Sequence, residues 1–159
     1  MNNPKNKNMK NIILLIIVLI GFYSCKKIDE NNNCENKKKS ITNLESEYGC
    51  VNTKGQMQID LLNDFTIIKT QIIFDSLVSG NCNPNIDFNT YDLLIGKKGL
   101  ANGNDTIYYE LTENCETENL NLKVNFINNM TMIAPNITYH SLIPKLKSGQ
   151  SIDVEIIIN

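Results

Sequence analysis

The chain has 159 residues, 15 lysines and no arginine against 17 acids, and a net charge of −2. One domain fits this length and two do not, and an acidic balance without any guanidinium fork argues against nucleic acid as a partner. Asparagine is abundant, at 26 residues, and its Asn-x-Thr triplets at Asn104, Asn129 and Asn136 follow from that abundance.

Lys5, Lys7 and Lys10 lead into an unbroken apolar run, Ile12 to Tyr23, which ends at Ser24 and Cys25. A basic lead, a short apolar stretch and a small residue are the three parts of a secretory signal peptide. The run has 12 residues, too few for a bilayer core that takes about 20. Its ending, Phe22-Tyr23-Ser24-Cys25, resembles the lipobox of bacterial lipoproteins, which implies residues 1–24 as signal peptide and Cys25 as the acylated first residue. Several acyl chains on one cysteine suffice for stable anchoring. The expected location is therefore the outer membrane of the cell envelope, on its periplasmic or its outer face.

Residues 25–43 (CKKIDENNNCENKKKSITN) contain few large apolar side chains and are expected to form a flexible tether. The opening KKIDE is similar to export signals that carry some lipoproteins to the cell surface; a soluble linker is the other reading. Beyond Cys25 the cysteines are Cys34, Cys50, Cys82 and Cys115. In an exported chain this even count suggests up to two disulfides. At least one bridge is expected among Cys50, Cys82 and Cys115, with Cys34 free or loosely paired in the tether. The spacings contain no Cys-x-x-Cys or Cys/His cluster, so no metal is expected, and no cofactor motif is present.

A single domain is expected over residues 44–159. Met57, Ile59 and Leu61 alternate with polar residues as in a half-wet strand, and Phe65 to Lys69 reads as the strand returning from a turn at Asn63-Asp64. Thr70 caps a helix over 71–79 closed by Gly80, with Ile73, Phe74, Leu77 and Val78 on one stripe. It is the only helix the sequence predicts in this domain. Tyr91 to Ile95 reads as a buried strand broken at Gly96. Thr106–Glu113 and Leu120–Asn128 form the best hairpin, and strands follow over 137–143 and 151–158. The predicted class is mainly β (a β-rich α+β fold), an antiparallel sandwich or open barrel of about seven strands with one short helix.

Chemistry-bearing residues are few. His140, the only histidine, is expected on the strand face opposite Tyr139, and no nucleophile or orienting acid accompanies it in any catalytic motif. The loop KKGLANGND (97–105) lacks a phosphate-binding context, and Glu113, Glu116 and Glu118 lack an ordered calcium spacing. Asp75-Ser76-Leu77 and Asp105-Thr106-Ile107 look like short O-glycosylation sites.

The order of TIIKTQIIFDSLVS, IDFNTYDLLIGKKG, the Tyr-rich TIYYEL with LNLKVNF, and ITYHSLIPKL resembles PrcB-like domains, small β-rich modules named for a subunit of a bacterial protease complex. The resemblance spans Phe65 to Ile157, with Asn102-Gly103-Asn104-Asp105 in place of the family's Gly-Gly-Tyr-like turn. It implies a stabilising or interaction role and assigns no functional residue. The expectation is thus a lipid-anchored, non-enzymatic module for a protein or glycan partner. An accessory subunit of an envelope protease or transport complex is the alternative.

Overall fold

The computed structural model describes residues 34–61 and 64–159. Cys25 and the segment read as signal peptide lie outside the described residues. Nine strands and three short helices follow in chain order: β1 (Lys37–Lys39), α1 (Leu44–Tyr48), α2 (Thr53–Gln56), β2 (Met57–Ile59), β3 (Phe65–Ile68), α3 (Gln71–Leu77), β4 (Val78–Gly80), β5 (Tyr91–Gly99), β6 (Asn104–Glu113), β7 (Leu120–Asn128), β8 (Asn136–Pro144) and β9 (Ile152–Ile158). They make three open sheets, ordered β1-β6-β7-β9, β3-β5-β8 and β2-β4. The fold is β-rich, as the sequence predicts.

Alternation decides the layers. On β7, Leu120, Leu122, Val124 and Phe126 are buried and the residues between them are not, so the four-stranded sheet packs one face inward. The middle sheet is covered on both faces. Leu94, Ile137, Tyr139 and Ile143 join the core shared with β7, while Ile68, Leu93, Ile95 and Leu142 pack with Leu44, Met57, Phe74 and Val78 on the other side. Two-sided burial explains why YDLLI reads as a continuous apolar run and not as an alternation. The strand also continues through Gly99, because β8 pairs with it in register from Tyr91↔Pro144 to Gly99↔Asn136. The break expected at Gly96 is not there.

Two pairings differ from the sequence expectation. β2 and β3 do not form a hairpin: β2 pairs with β4, and β3 joins the middle sheet beside β5. Helix α3 runs straight into β4, whose last residue, Gly80, has a φ of 129°. A Cβ at Gly80 would collide with the Gln56 carbonyl, so glycine is what lets β4 close on β2. The second difference is β9, which lies parallel to β7. After β7 the chain crosses into the middle sheet as β8 and then returns, so β9 arrives running the same way as β7.

The helices also depart from expectation. Thr70 caps α3 as predicted, its hydroxyl accepting from Ile73 N–H at 3.3 Å. The helix stops at Leu77, however, and of the predicted stripe Phe74 and Val78 are buried while Ile73 and Leu77 are exposed. Helix α1 is an addition, with Asn43 as its N-cap, accepting from Ser46 N–H at 2.8 Å, and Gly49 as its left-handed C-cap. One and a half turns carry too little periodicity to be read from sequence.

The two disulfides are Cys50–Cys82 and Cys34–Cys115. The first lies among the three cysteines singled out by sequence. Cys115 pairs outside that set, with Cys34, which the sequence reading places in the tether. The reason is β1: Lys37–Lys39 lie antiparallel to Leu111–Glu113 of β6, bringing Cys34 to the tip of the β6–β7 hairpin. Lys38–Glu110 (2.8 Å) and Lys39–Glu113 (2.6 Å) ion pairs accompany the pairing. Residues 37–39 are thus an edge strand of the unit, and their lysines suit an edge that must not recruit further strands.

Candidate functional site

The only histidine sits where α1, α2 and β8 meet. Strand alternation turns Tyr139 toward Phe126, edge to face at 5.7 Å between ring centroids, and His140 to the opposite face, as the sequence predicts. There the imidazole is 3 % exposed. Leu44 N–H, the first amide of α1, donates to His140 Nε2 at 3.1 Å. The other ring nitrogen, Nδ1, faces Thr53 Oγ1 at 3.4 Å. The Thr53 hydroxyl in turn donates to Glu45 Oε1. The chain of bonds ties two helices to the strand beneath them.

Glu45 closes the cluster. Its Oε2 lies 3.2 Å from His140 Nε2, the nitrogen that also faces the Leu44 amide. Burial works to raise the Glu45 pKa, but the hydrogen bonds from His140 and Thr53 and the imidazolium charge outweigh it, drawing the value from 4.5 down to about 2. Tyr109 reaches across from β6, its hydroxyl accepting from His140 N–H at 3.1 Å. Burial pushes that phenol's pKa upward.

The cluster borders a cleft of about 240 Å³, whose lining includes Glu45, Thr53, Tyr109 and His140 together with Lys54 and Thr106. Lys54 is committed: Nζ donates to the carbonyls of Asn104 (3.1 Å) and Asp105 (2.8 Å). Thr53 is buried and its proton goes to Glu45. Glu45, Thr53 and His140 thus spend polar atoms on one another while they border the cleft.

The other residues singled out by sequence lie apart from this cluster. Glu113 and Glu118 of the hairpin tip are engaged by Lys39 and Lys147, the latter at 2.7 Å. Ser76 is exposed on α3, its hydroxyl donating to the Ile73 carbonyl at 2.8 Å. Thr106 is partly buried on β6 at the cleft. Sequence reasoning missed Glu45 and Thr53 as partners of His140, because 95 and 87 positions of chain separate them from it and neither belongs to a motif.

A different feature stands out on the surface. Met130 and Met132 are fully exposed and Ile133 is 67 % exposed, all on the loop between β7 and β8. No protein family, curated protein or solved structure matches this chain.

Proposed function

We propose that this chain is a lipoprotein of the cell envelope, held in the outer membrane by acyl chains on Cys25, whose β unit binds a partner and performs no catalysis. The observation that carries the binding reading is the internally bonded His140 cluster. The buried imidazole has its ring nitrogens turned to Leu44 N–H, the Glu45 carboxylate and Thr53 Oγ1, which is the part of a strut between helices and strand, and the cleft that this cluster borders is open to a partner. The envelope reading rests on the basic-apolar-Ser24-Cys25 layout, and the Cys34–Cys115 and Cys50–Cys82 bridges support it, since such bonds persist in oxidising compartments.

The partner is a protein or a glycan. An accessory subunit of an envelope protease or transport complex is the second reading, favoured by the apolar side chains of the β7–β8 loop, which suit a protein surface better than a sugar. Palmitate labelling tests the anchor: Cys25→Ala is expected to lose the label and to move the protein from the membrane to the soluble fraction. A variant that stays labelled would refute Cys25 as the acylated residue. Protease added to intact cells distinguishes the outer face, where the unit is digested, from the periplasmic face.

A further inference from the structure

We infer that the free edge of β9 is a pairing surface for a second copy of this chain, the two β9 strands lying antiparallel across a two-fold axis. This goes beyond the envelope reading and does not depend on the anchor.

The backbone of β9 is half used. Leu120 N–H donates to the Ser151 carbonyl and Asn159 N–H to the Phe126 carbonyl, both at 2.9 Å, while Asn128 N–H donates to the Asn159 carbonyl at 2.8 Å. Between these ends the parallel register with β7 runs from Leu120↔Ile152 to Phe126↔Ile158 without a shift. Backbone groups alternate sides along a strand, so the odd-numbered residues of β9 are the ones bonded to β7. Val154, Ile156 and Ile158 therefore aim their N–H and C=O groups at the other side, where no strand pairs with β9 among the described residues. Their side chains are also incompletely covered. Val154 and Ile156 are half-buried against the core, and Ile158 is 48 % exposed.

The two edges of this four-stranded sheet are built differently. On β1 three lysines, Lys37 to Lys39, line the outer edge, and two of them hold Glu110 and Glu113. Ser151 to Asn159 contains no lysine, proline or glycine, and its register has no bulge. Those are the devices that keep an edge from recruiting a strand. One open edge per copy fits one further copy: β9 on β9 joins two sheets and leaves only lysine-lined edges outside, so the assembly closes at two.

The acids of β9 choose the register. The apolar faces stay together only when Val154, Ile156 and Ile158 meet one another. An axis through Val154 sets Asp153 opposite Glu155 of the second copy, and an axis through Glu155 sets that carboxylate opposite itself. Both oppose like charges directly. An axis through Ile156 sets Glu155 opposite Ile157, Asp153 opposite Asn159 and Val154 opposite Ile158. In that register the free amides of Val154, Ile156 and Ile158 each find a carbonyl.

Single cysteines in the full-length chain read the axis directly. In intact cells treated with a mild oxidant, Ile156→Cys is expected to give one reducible adduct of twice the chain's mass, because the paired Cα atoms lie about 5.5 Å apart. Asp153→Cys should give none, its counterpart in the second copy lying about six residues and 20 Å away. Sedimentation of the purified full-length chain in density-matched detergent should show two chains per particle. Ile156→Pro removes an amide that faces the free edge; it should weaken self-association about a hundredfold with Tm close to the parent's. Ile157→Pro, whose amide faces β7, should lower Tm. Should Ile156→Pro fail to fold, Ile158→Lys repeats the test at an exposed side chain and should likewise give single chains. An adduct with a different protein, no adduct, equal adducts at both cysteine positions, or pairing kept by the folded edge variants would each overturn the inference. Palmitate labelling reads the anchor separately: label without adduct defeats the pairing alone, and adduct without label defeats the lipid anchor.

Discussion

His140 shows how much a single side chain can hold. Its ring accepts from the first amide of α1 and faces the hydroxyl of α2's first residue, and its own backbone amide donates to Tyr109 on the opposite sheet. His140→Ala strips two helices of their common attachment and leaves the Leu44 amide buried without an acceptor, at a cost of about 2–4 kcal/mol. Urea denaturation is the measurement. A variant as stable as the parent, with a lost cellular phenotype, would point instead to a catalytic imidazole. Glu45 adds a pH dependence whose sign is determined. Its pKa is lower in the folded state than its ordinary 4.5, at about 2. The carboxylate therefore stabilises the fold above pH 4.5, and that contribution is lost as pH falls toward 2. Acid titration of stability should show a steeper decline across this interval in the parent than in Glu45→Gln; equal slopes would assign the acid sensitivity to other carboxylates.

At the scale of the element, the helices explain why some of the sequence signals were readable and others were not. Thr70 announces α3 because a cap is local chemistry, one hydroxyl bonded to an amide three residues on. Thr70→Ala should cost about 1 kcal/mol, measurable as a shift in the urea midpoint at constant slope; no shift would mean the cap is replaced by water. The extent of α3 is another matter. Val78 and Ser79 read as the last turn of the helix, yet β2 recruits them as a strand. Helix α1 shows the converse: Asn43 and Gly49 are both cap residues visible in the sequence, but the segment between them is too short to show a period. The hairpin of β6 and β7 was legible because one wet face leaves strict alternation on Leu120, Leu122, Val124 and Phe126.

For the described unit as a whole, the two disulfides divide the work. Cys50–Cys82 closes 32 residues and fastens the end of α1 to the loop after β4, while Cys34–Cys115 closes 81 and fastens β1 to the hairpin. In chain-entropy terms each contributes about 4 kcal/mol. Replacing both Cys34 and Cys115 by serine should lower stability by several kcal/mol and release β1 first, because that strand is only three residues long and at an edge. Hydrogen exchange at Lys37–Lys39 is expected to rise well before exchange in β5 and β8. Simultaneous loss of protection in all three strands would show that β1 is part of the cooperative core.

What the amino-acid sequence determined by itself was local or one-dimensional. The strand periods, the Thr70 cap, the β6–β7 hairpin, the opposite facing of Tyr139 and His140, and the class of the fold all follow from neighbours within a few residues. What tertiary structure alone decided was who meets whom. The pairing of β2 with β4, the parallel arrival of β9, the choice of Cys34 by Cys115, and the Glu45–Thr53–His140 cluster each join residues far apart in the chain. Loop closure costs nearly the same for several such pairings, so patterning cannot choose among them. The choice falls to the packing of a middle sheet buried on both faces, which is satisfied by one arrangement of the elements around it.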